Sequence, residues 1–573
     1  MSPASAADPA PWANLLPVIS FVGIVALARW PIEIGRWIGV IAMVTLVLGI
    51  WSLLLGFLII HLQARQPLDL FREFRMEANP FLSFTAATLL LVALLGGDLR
   101  LPEIRYGSAG SDATNATNAR LDLRESFDRW LSSSTSCDRT IDLANNAGSA
   151  RVRPLLMIGA SGGGIRAAEW TAGVVSVMSR SGACGRAATL LSSGVSGGAV
   201  GLALTRGLDA SADPDPLHLT AGIGESDALA TGIAGVGVGD LVAGASGILL
   251  APNGSDRWLD RAGLIETVWE RSAPALATEF RPNDIEGPAG ALIFNATSAT
   301  SKCRVQISQL DLGQTFAPVP SAGDCRAYSP APAGSFDLLS AGAACGLPKT
   351  WATASFISAR FPYVTPTART GLDGSCDDSA LQLVDGGYAE ESGLGTIADI
   401  APAIAALVRD HNAQALDQIA ATGRSTSPIV IPHVVYLDDE PGEDLLRDIG
   451  RPIAEVAAPT QIHSPAHAQL SSWRSLGQRI TNEFRFSCGA TTQLEPDPVC
   501  AQALQAVTPA DSPPRYFLTV APPTEPSVRA PLGWVLSDES HDSLGKHLQQ
   551  SGNSGCALTA SNLCDLVQVV GPR

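Results

Sequence analysis

Charged residues are scarce in this chain of 573 residues. Asp, Glu, Lys and Arg make up 16% of it, against roughly 25% in soluble domains. The charges present are unbalanced, with 38 Lys and Arg against 55 Asp and Glu and a formal net charge of −17. No basic patch with interleaved aromatic residues occurs. Because an acidic domain is repelled by nucleic acid and by anionic lipid surfaces, nucleic-acid binding is not expected.

Metal-binding spacings are also missing. No CxxC pair and no Cys/His cluster with zinc spacing is present, so neither a metal nor another cofactor is predicted. The even number of cysteines favours a disulfide framework of undetermined connectivity, and therefore an oxidising compartment for the large domain. Scattered thiols are the alternative. All ten cysteines follow the apolar N-terminal region, at positions 137, 184, 303, 325, 345, 376, 488, 500, 556 and 564.

Long apolar runs are concentrated at the start of the chain. Trp37–Ile60 is an uncharged run of 24 residues, and about 20 suffice to cross a bilayer core. Pro80–Gly97 and Trp12–Ala28 add runs of 18 and 17 residues. We therefore predict a transmembrane anchor over residues 1–106, with about three helices near 12–28, 37–60 and 80–97. Buried core helices are the alternative for the two shorter runs.

The anchor differs from a cleaved signal peptide, because no Lys or Arg precedes its first apolar run. It carries seven Arg and seven acidic residues, so the net charge of −17 belongs to the rest of the chain. The flanking arginines divide four to three between the two sides of the membrane. This division leaves the orientation open, and only the cysteines favour an oxidising side for the large domain.

Three regions follow the predicted anchor. Residues 107–149 are interpreted as a linker and lead-in, because Tyr106–Ala119 is rich in Gly, Ser, Ala, Asn and Thr. Residues 150–400 form the predicted catalytic core. This core opens with the apolar run Leu155–Ile158 before a glycine, which is typical of a buried strand entering a tight turn. Residues 401–573 are expected to complete or cap it.

Strands and helices alternate in the predicted core. Ile165–Arg180 predicts a helix, and Thr189–Arg206 predicts a further strand, turn and helix. This alternation indicates an α/β fold with a mostly parallel central sheet. Further strand candidates are Ala291–Phe294, Leu381–Val384, Ile429–Leu437 and Tyr516–Val520.

The apolar segment Leu229–Ala251 has Asp240 as its only charge and contains six glycines. A fourth transmembrane span is one interpretation. Since each glycine costs a helix about 1 kcal/mol, a flexible cap over an apolar pocket or a plain core segment is preferred.

Two Gly-x-Ser-x-Gly matches carry the candidate chemistry. The first match, Gly159–Gly163, is followed by Gly164, Ile165 and Arg166, where a predicted helix begins. The amides of successive glycines can form an anion-binding nest. Ser161 is therefore assigned to an oxyanion hole, with Arg166 adding positive charge or forming a structural ion pair. Gly194–Gly198 presents Ser196 at a strand-to-helix turn and predicts a nucleophile. Alone, either match is more often an ordinary Gly/Ser turn.

Three motifs together resemble patatin-like phospholipases, in type, order and spacing, over about residues 150–400. The sequence reads Gly162-Gly163-Gly164-x-Arg166, then Gly194-x-Ser196-x-Gly198, then Asp385-Gly386-Gly387. Phe294–Thr297 and Ser358–Pro362 are similar supporting stretches. The resemblance to a bacterial, membrane-anchored member implies a three-layer α/β fold, an inner-membrane location and hydrolysis of phospholipid acyl esters.

The resemblance also implies a Ser–Asp dyad. Ser196 attacks the ester carbonyl, Asp385 accepts its proton, and the amides of Gly162, Gly163 and Gly164 hold the oxyanion. A carboxylate of pKa near 3.9 is a feeble base, so Asp385 is expected to be buried with a raised pKa. An aspartate in an ordinary Gly-Gly turn is the alternative.

Two other functions stay open. An α/β-hydrolase with a Ser–His–Asp triad needs a histidine after the acid, and a catalytically silent lipid-binding scaffold needs none of this chemistry. The triad candidates are His411, His433, His463, His467, His541 and His547. The expected partners are a lipid substrate and the bilayer.

Overall fold

A computed structural model describes residues 15–63, 69–76, 79–80, 83–85, 87–88, 104–107, 110–144, 148–208, 217–220, 222–299, 303–312, 335–342, 345–362, 364–370, 381–439, 472–488, 497–509, 513–522, 533–552 and 562–571. They divide into two compact units. Unit 1 takes its residues from Met1–Glu103, Ser226–Val268 and Tyr363–Pro366, and unit 2 takes the remainder from Ile104 onward. Residues 226–268 therefore group with the N-terminal residues, although they interrupt the predicted catalytic core in sequence.

The described strands are, in chain order, β1 (Leu121–Asp122), β2 (Arg139–Asp142), β3 (Ser149–Ala160), β4 (Thr189–Val195), β5 (Ala291–Ser298), β6 (Arg304–Ser308), β7 (Leu310–Asp311), β8 (Ser335–Asp337), β9 (Ala368–Thr370), β10 (Leu381–Val384), β11 (Ile429–Leu437) and β12 (Phe517–Val520). The described α-helices are α1 (Leu16–Arg29), α2 (Pro31–Gln63), α3 (Asp69–Glu73), α4 (Gly110–Asn118), α5 (Leu123–Ser133), α6 (Gly164–Arg180), α7 (Ala183–Ala187), α8 (Gly197–Leu204), α9 (Ser226–Ala234), α10 (Leu241–Ser246), α11 (Arg261–Ser272), α12 (Pro274–Ala277), α13 (Leu338–Gly342), α14 (Trp351–Ser358), α15 (Leu394–Thr422), α16 (Ser472–Arg485), α17 (Pro498–Val507), α18 (Asp538–Gly552) and α19 (Leu563–Val570).

Unit 2 is built around a mixed sheet to which ten of the described strands belong. Its main order is β12-β11-β3-β4-β5-β10-β9. The neighbours from β12 to β5 are all parallel, whereas β10 runs antiparallel to both β5 and β9. The predicted α/β fold with a mostly parallel sheet is confirmed at this level.

Strand β3 shows why the sheet is buried on both faces. Leu155 and Met157 belong to a continuous apolar cluster that joins β3, β4, β5 and β11 to α5, α15, α16 and α17. Leu156 and Ile158 alternate with them, so they point to the opposite face, and they are equally buried. Continuous apolar strands covered on both faces are typical of parallel sheets.

Most predicted elements of unit 2 agree with the structure. The strands expected at Leu381–Val384 and Ile429–Leu437 are β10 and β11, and the helix expected at Ile165–Arg180 is α6. Helix α4 occupies residues 110–118 of the segment interpreted as a linker and lead-in. Its Ala113 and Thr117 are buried, so packing rather than intrinsic helix propensity accounts for this helix.

Unit 1 contains the apolar N-terminal helices. The run Trp12–Ala28 corresponds to α1 and Trp37–Ile60 to α2, which is interrupted at Gly39 by a non-helical backbone. Most of the third predicted span, Pro80–Gly97, lies outside the described residues. Within the described part, two helical segments are long and apolar enough to cross a membrane, Pro31–Ile59 and Asp227–Ser246.

Within the glycine-rich segment Leu229–Ala251, residues 229–246 are helical, which differs from the expected flexible cap but not from a plain core segment. α9 continues through a π-helical stretch, Gly235–Asp240, into α10. Gly237 lets this segment approach α2 closely, because a Cβ there would lie 2.4 Å from Val47 Cγ1. The packing gained at such a glycine offsets its poor helix propensity.

Two disulfides are described completely, Cys137–Cys184 and Cys488–Cys500. Cys303, Cys345 and Cys564 are disulfide-bonded as well, and none of the described cysteines is free. The disulfide framework expected from the cysteine count is therefore present in the described residues.

Candidate active site

Ser196 lies at the corner between β4 and α8. Its backbone has φ 50° and ψ −121°, a positive φ that non-glycine residues rarely adopt. Small neighbours make the turn possible. A Cβ on Gly194 would come within 2.8 Å of the Ala199 nitrogen, and one on Gly198 within 2.5 Å of the Ser161 carbonyl oxygen. Strain of this kind clusters at functional sites, and here it projects a serine hydroxyl from the turn.

Asp385 accepts a hydrogen bond from the Ser196 hydroxyl. Ser196 Oγ donates a hydrogen bond of 2.6 Å to Asp385 Oδ2, and the amide of Gly387 donates one of 2.8 Å to Asp385 Oδ1. Burial raises the pKa of Asp385 from 3.8 to about 6, although the hydrogen bonds from Ser196 and Gly387 partly oppose the shift. The structure thus brings the two predicted catalytic residues into direct contact.

Strand β5 explains why residues 189 positions apart meet. It lies between β4 and β10, pairing Gly194 with Phe294 and Val384 with Thr297. The last residues of β4 and β10, Val195 and Val384, pair with Asn295 and Thr297 of β5. Thr297 Oγ1 donates to the carbonyl of Gly386, which follows the base.

Asn295 on β5 supports the nucleophile turn. Its Nδ2 donates to Ser193 Oγ at 2.9 Å and to the Gly194 carbonyl at 3.0 Å, while Oδ1 accepts from Thr396 Oγ1. Asn295 and Thr396 are fully buried. Since buried amides require satisfied partners, this network fixes the approach of β4 to the turn.

Ser358, at the end of α14, connects the nucleophile turn to strand β5. Its Oγ accepts from the Ser196 amide at 2.8 Å and donates to the Asn295 carbonyl oxygen. Two residues later, the Arg360 carbonyl accepts from the Asp385 amide at 2.9 Å. The stretch Ser358–Pro362 therefore holds the backbones of both the nucleophile and the base, a role that sequence reasoning did not assign.

The glycine-rich loop lies beside Ser196, but its glycines are not equivalent. A Cβ on Gly162 would be 3.4 Å from Ser196 Cβ, so this glycine contacts the nucleophile. Its amide, however, already donates to the Glu391 carbonyl at 2.8 Å. The assignment of Gly162 as an oxyanion donor is corrected on this ground. No described residue accepts from the amides of Gly163 and Gly164, which have φ 153° and 64°.

Arg166 forms an ion pair instead of facing the oxyanion hole as an unpaired cation. Its Nε and Nη2 lie 2.8 and 2.7 Å from Asp439 Oδ2. Ser161 Oγ donates to Asp439 Oδ1 at 3.0 Å, so Ser161 also serves this contact. Of the two roles considered for Arg166, the structure shows the ion pair. Asp439 was not identified from the sequence, because it lies 273 residues away.

The C-terminal part supports the site directly. It supplies β11 and β12 to the sheet, and Asp439 follows β11. Gly533 approaches the glycine-rich loop from the same part of the chain: its carbonyl accepts from the Ile165 amide at 2.9 Å. A Cβ on Gly164 would lie 2.3 Å from that carbonyl oxygen.

The histidines occupy other places. His411 bonds to the Pro428 carbonyl, His433 is buried on β11, and His541 Nδ1 lies 3.0 Å from Glu169 Oε2. Among the described residues, no histidine ring is hydrogen-bonded to Ser196 or Asp385. His547 lies on α18, and the other two triad candidates, His463 and His467, lie outside the described residues.

Comparisons with known proteins give low similarity. No protein-family model matches the chain, and no curated protein matches it. Among solved structures, VipD from Legionella pneumophila is 10% identical with a TM-score of 0.24, covering 72% of this chain and 69% of VipD. Human GIVD cytosolic phospholipase A2 is 12% identical with a TM-score of 0.27, covering 82% of this chain and 68% of that one. Function is therefore argued from the site geometry.

Proposed function

We propose that this chain is a membrane-anchored serine hydrolase that cleaves the acyl esters of phospholipids through a Ser–Asp dyad. The observation that carries the proposal is the 2.6 Å hydrogen bond from the hydroxyl of Ser196, a residue with positive φ, to the buried carboxylate of Asp385. A serine becomes a nucleophile when an adjacent base takes its proton. The raised pKa of Asp385, about 6, makes its carboxylate a stronger base than an ordinary aspartate.

In acylation, Ser196 Oγ bonds to the ester carbonyl carbon while its proton passes to Asp385 Oδ2. The carbonyl oxygen becomes an oxyanion, which the amides of Gly163 and Gly164 stabilise. As the intermediate collapses, the bond to the alcohol oxygen breaks and Asp385 returns the proton to the leaving alcohol. Ser196 then carries the acyl group.

In deacylation, a water molecule bonds to the acyl carbon as Asp385 takes its proton. The bond to Ser196 Oγ breaks, and the proton returns to the serine. The products are a free fatty acid and the alcohol released in the first half-reaction, and the enzyme is regenerated without a redox change or a cofactor.

A lipid substrate is supported by the apolar N-terminal region. The segment Pro31–Ile59 has a mean hydropathy of 2.5, and α2 carries exposed Trp37 and Ile41. A membrane anchor raises the local concentration of enzyme beside a water-insoluble ester. The disulfides Cys137–Cys184 and Cys488–Cys500 support an oxidising compartment such as the periplasm for unit 2.

The test compares wild type, Ser196→Ala and Asp385→Asn on nitrophenyl butyrate and on phosphatidylcholine vesicles. Exposed Ser132→Ala and Asp410→Asn serve as matched controls. We expect both site variants to lose roughly 10⁴-fold or more in kcat on both substrates, while the controls keep wild-type rates. Equal activity in all proteins contradicts the mechanism, and vesicle binding without turnover in the wild type supports a scaffold.

A further inference from the structure

Unit 1 contains a further apolar element besides α1 and α2. Residues 226–250 comprise α9, the π-helical stretch and α10, followed by Ile248, Leu249 and Leu250. They begin 22 positions after Leu204, where the helix that follows the nucleophile ends. The candidate span Asp227–Ser246 has 20 residues and a mean hydropathy of 1.5, which gives about 30 Å of helix, the thickness of a bilayer core.

We propose that residues 226–250 are themselves embedded in the hydrocarbon region of the bilayer, packed on α2. The proposal deepens the membrane part of the proposed function and rests on it. The partner it names is the acyl interior of a phospholipid bilayer.

Close helix packing is the first argument. A Cβ on Gly35 of α2 would lie 2.8 Å from Thr231 Oγ1, and one on Gly237 would lie 2.4 Å from Val47 Cγ1. Helices in a bilayer cannot gain by leaving water, so they associate through small residues that allow close backbone approach. The contacts between α2 and residues 226–246 use such positions on both sides.

The paired polar groups at residues 237 and 240 are the second argument. The π-helical stretch changes the regular backbone pairing, and Trp51 Nε1 on α2 donates to the Gly237 carbonyl at 2.6 Å. Asp240, the only charged residue of the element after Asp227 at its start, pairs with Arg261 Nη1 at 2.6 Å. Backbone and charged groups at membrane depth require such partners, because no water is available to them.

The exposed side chains are the third argument. Val236, Ile248 and Leu249 are 42%, 57% and 54% exposed. Like Ile41 on α2, which is 83% exposed, they are large and apolar. A water-facing surface of this composition is an aggregation hazard, whereas hydrocarbon contact removes the cost of exposing it.

The test uses the full chain in phosphatidylcholine vesicles, with the photoreactive residue benzoylphenylalanine placed singly at Val236, Ile248, Ile41 or Glu279. Ile41 is the control on α2, and exposed Glu279 in unit 2 is the control for water contact. We expect Val236 and Ile248 to crosslink to lipid as well as Ile41 does, about tenfold above Glu279, because the hydrocarbon region excludes water.

Lipid yields at Val236 and Ile248 no higher than at Glu279, with Ile41 crosslinked, overturn the proposal, and so do crosslinks to a second copy of the chain. A cooperative thermal unfolding transition shows that each variant is folded, and hydrolysis of nitrophenyl butyrate by the same samples tests the dyad separately. If lipid crosslinks form without hydrolysis, the hydrolase mechanism fails and the membrane element stands. If Ile41 also fails to crosslink, both the anchor and this proposal fail.

Discussion

Arg166 directs two nitrogens at one carboxylate oxygen of Asp439, with Nε at 2.8 Å and Nη2 at 2.7 Å. The same carboxylate lies against the glycine-rich loop, since a Cβ on Gly163 would overlap it at 2.0 Å from Oδ2. Ser161 completes the contact through Asp439 Oδ1. The pair therefore holds the loop whose amides are proposed to bind the oxyanion, and Asp439 is a positioning residue.

Replacing Asp439 with Asn is expected to lower kcat by about 100-fold, because small displacements of an oxyanion donor are costly, while KM changes little. The variant also leaves buried Arg166 without its counter-charge, which costs about 3–5 kcal/mol of stability. Exposed Asp410→Asn is the matched control. Steady-state kinetics and thermal unfolding in detergent measure both effects.

A second variant separates positioning from stability. Joint replacement of Arg166→Met and Asp439→Leu removes both buried charges, so much of the lost stability should return. The rate should stay low, because the loop has lost its polar contacts. A folded Asp439→Asn protein with wild-type kcat contradicts the positioning role.

Replacing Gly163 or Gly162 by alanine should lower kcat to different extents. Gly163→Ala places a Cβ within 2.0 Å of Asp439 Oδ2 at a backbone φ of 153°, so we expect kcat to fall by about 100-fold or more. Gly162→Ala meets only ordinary contacts, the nearest 3.4 Å from Ser196 Cβ, and its amide is already occupied. The loss there should be at least tenfold smaller. Equal losses in kcat contradict the division between the two glycines.

Histidine substitutions distinguish the dyad from a triad. We expect His411→Ala, His433→Ala and His541→Ala to retain ester hydrolysis within about threefold once differences in folded fraction are corrected for. The reason is that Asp385, rather than an imidazole, accepts the Ser196 hydrogen bond. The same assay applied to the other histidines completes the series. Loss of all activity in any one folded variant favours the triad.

The elements around the site could be predicted because their signals are local. The apolar run before Gly159, the turn at Ser196 and the strand before Asp385 each occupy a few consecutive residues. The Arg166–Asp439 pair could not be derived, since nothing local identifies a partner that comes after β11. Glycines in residues 229–251 indicated flexibility, whereas Gly237 packs closely against Val47 of α2, which lies 190 positions earlier in the chain.

The Cys137–Cys184 disulfide is expected to stabilise unit 2. It closes a loop with a sequence separation of 47, and loop-closure entropy for that length is worth about 4 kcal/mol. Cys137→Ser should therefore lower the unfolding temperature under oxidising conditions. Adding reductant should lower that of the wild type but change the variant less. Unchanged unfolding temperatures in both comparisons contradict a structural disulfide.

The rate should depend on pH through Asp385. The proposed base acts in its ionised form, and its pKa is raised by burial to about 6. We expect kcat/KM on nitrophenyl butyrate to rise about tenfold per pH unit below 6 and to level off above it. A profile that stays flat between pH 5 and pH 8 contradicts the assignment of Asp385 as the base.

The same pKa links the site to stability. Between the unfolded pKa of 3.8 and the folded value of about 6, the folded chain binds more protons at Asp385 than the unfolded chain. Its contribution to stability is therefore largest at low pH and is lost as pH rises through this window. Because asparagine does not ionise, the Asp385→Asn variant does not lose this contribution to stability as pH rises. Relative to wild type, the variant should gain about 2 kcal/mol in unfolding free energy from pH 4 to pH 7. Paired thermal unfolding across this range measures the gain, and a difference between the two proteins that does not change with pH contradicts a raised pKa.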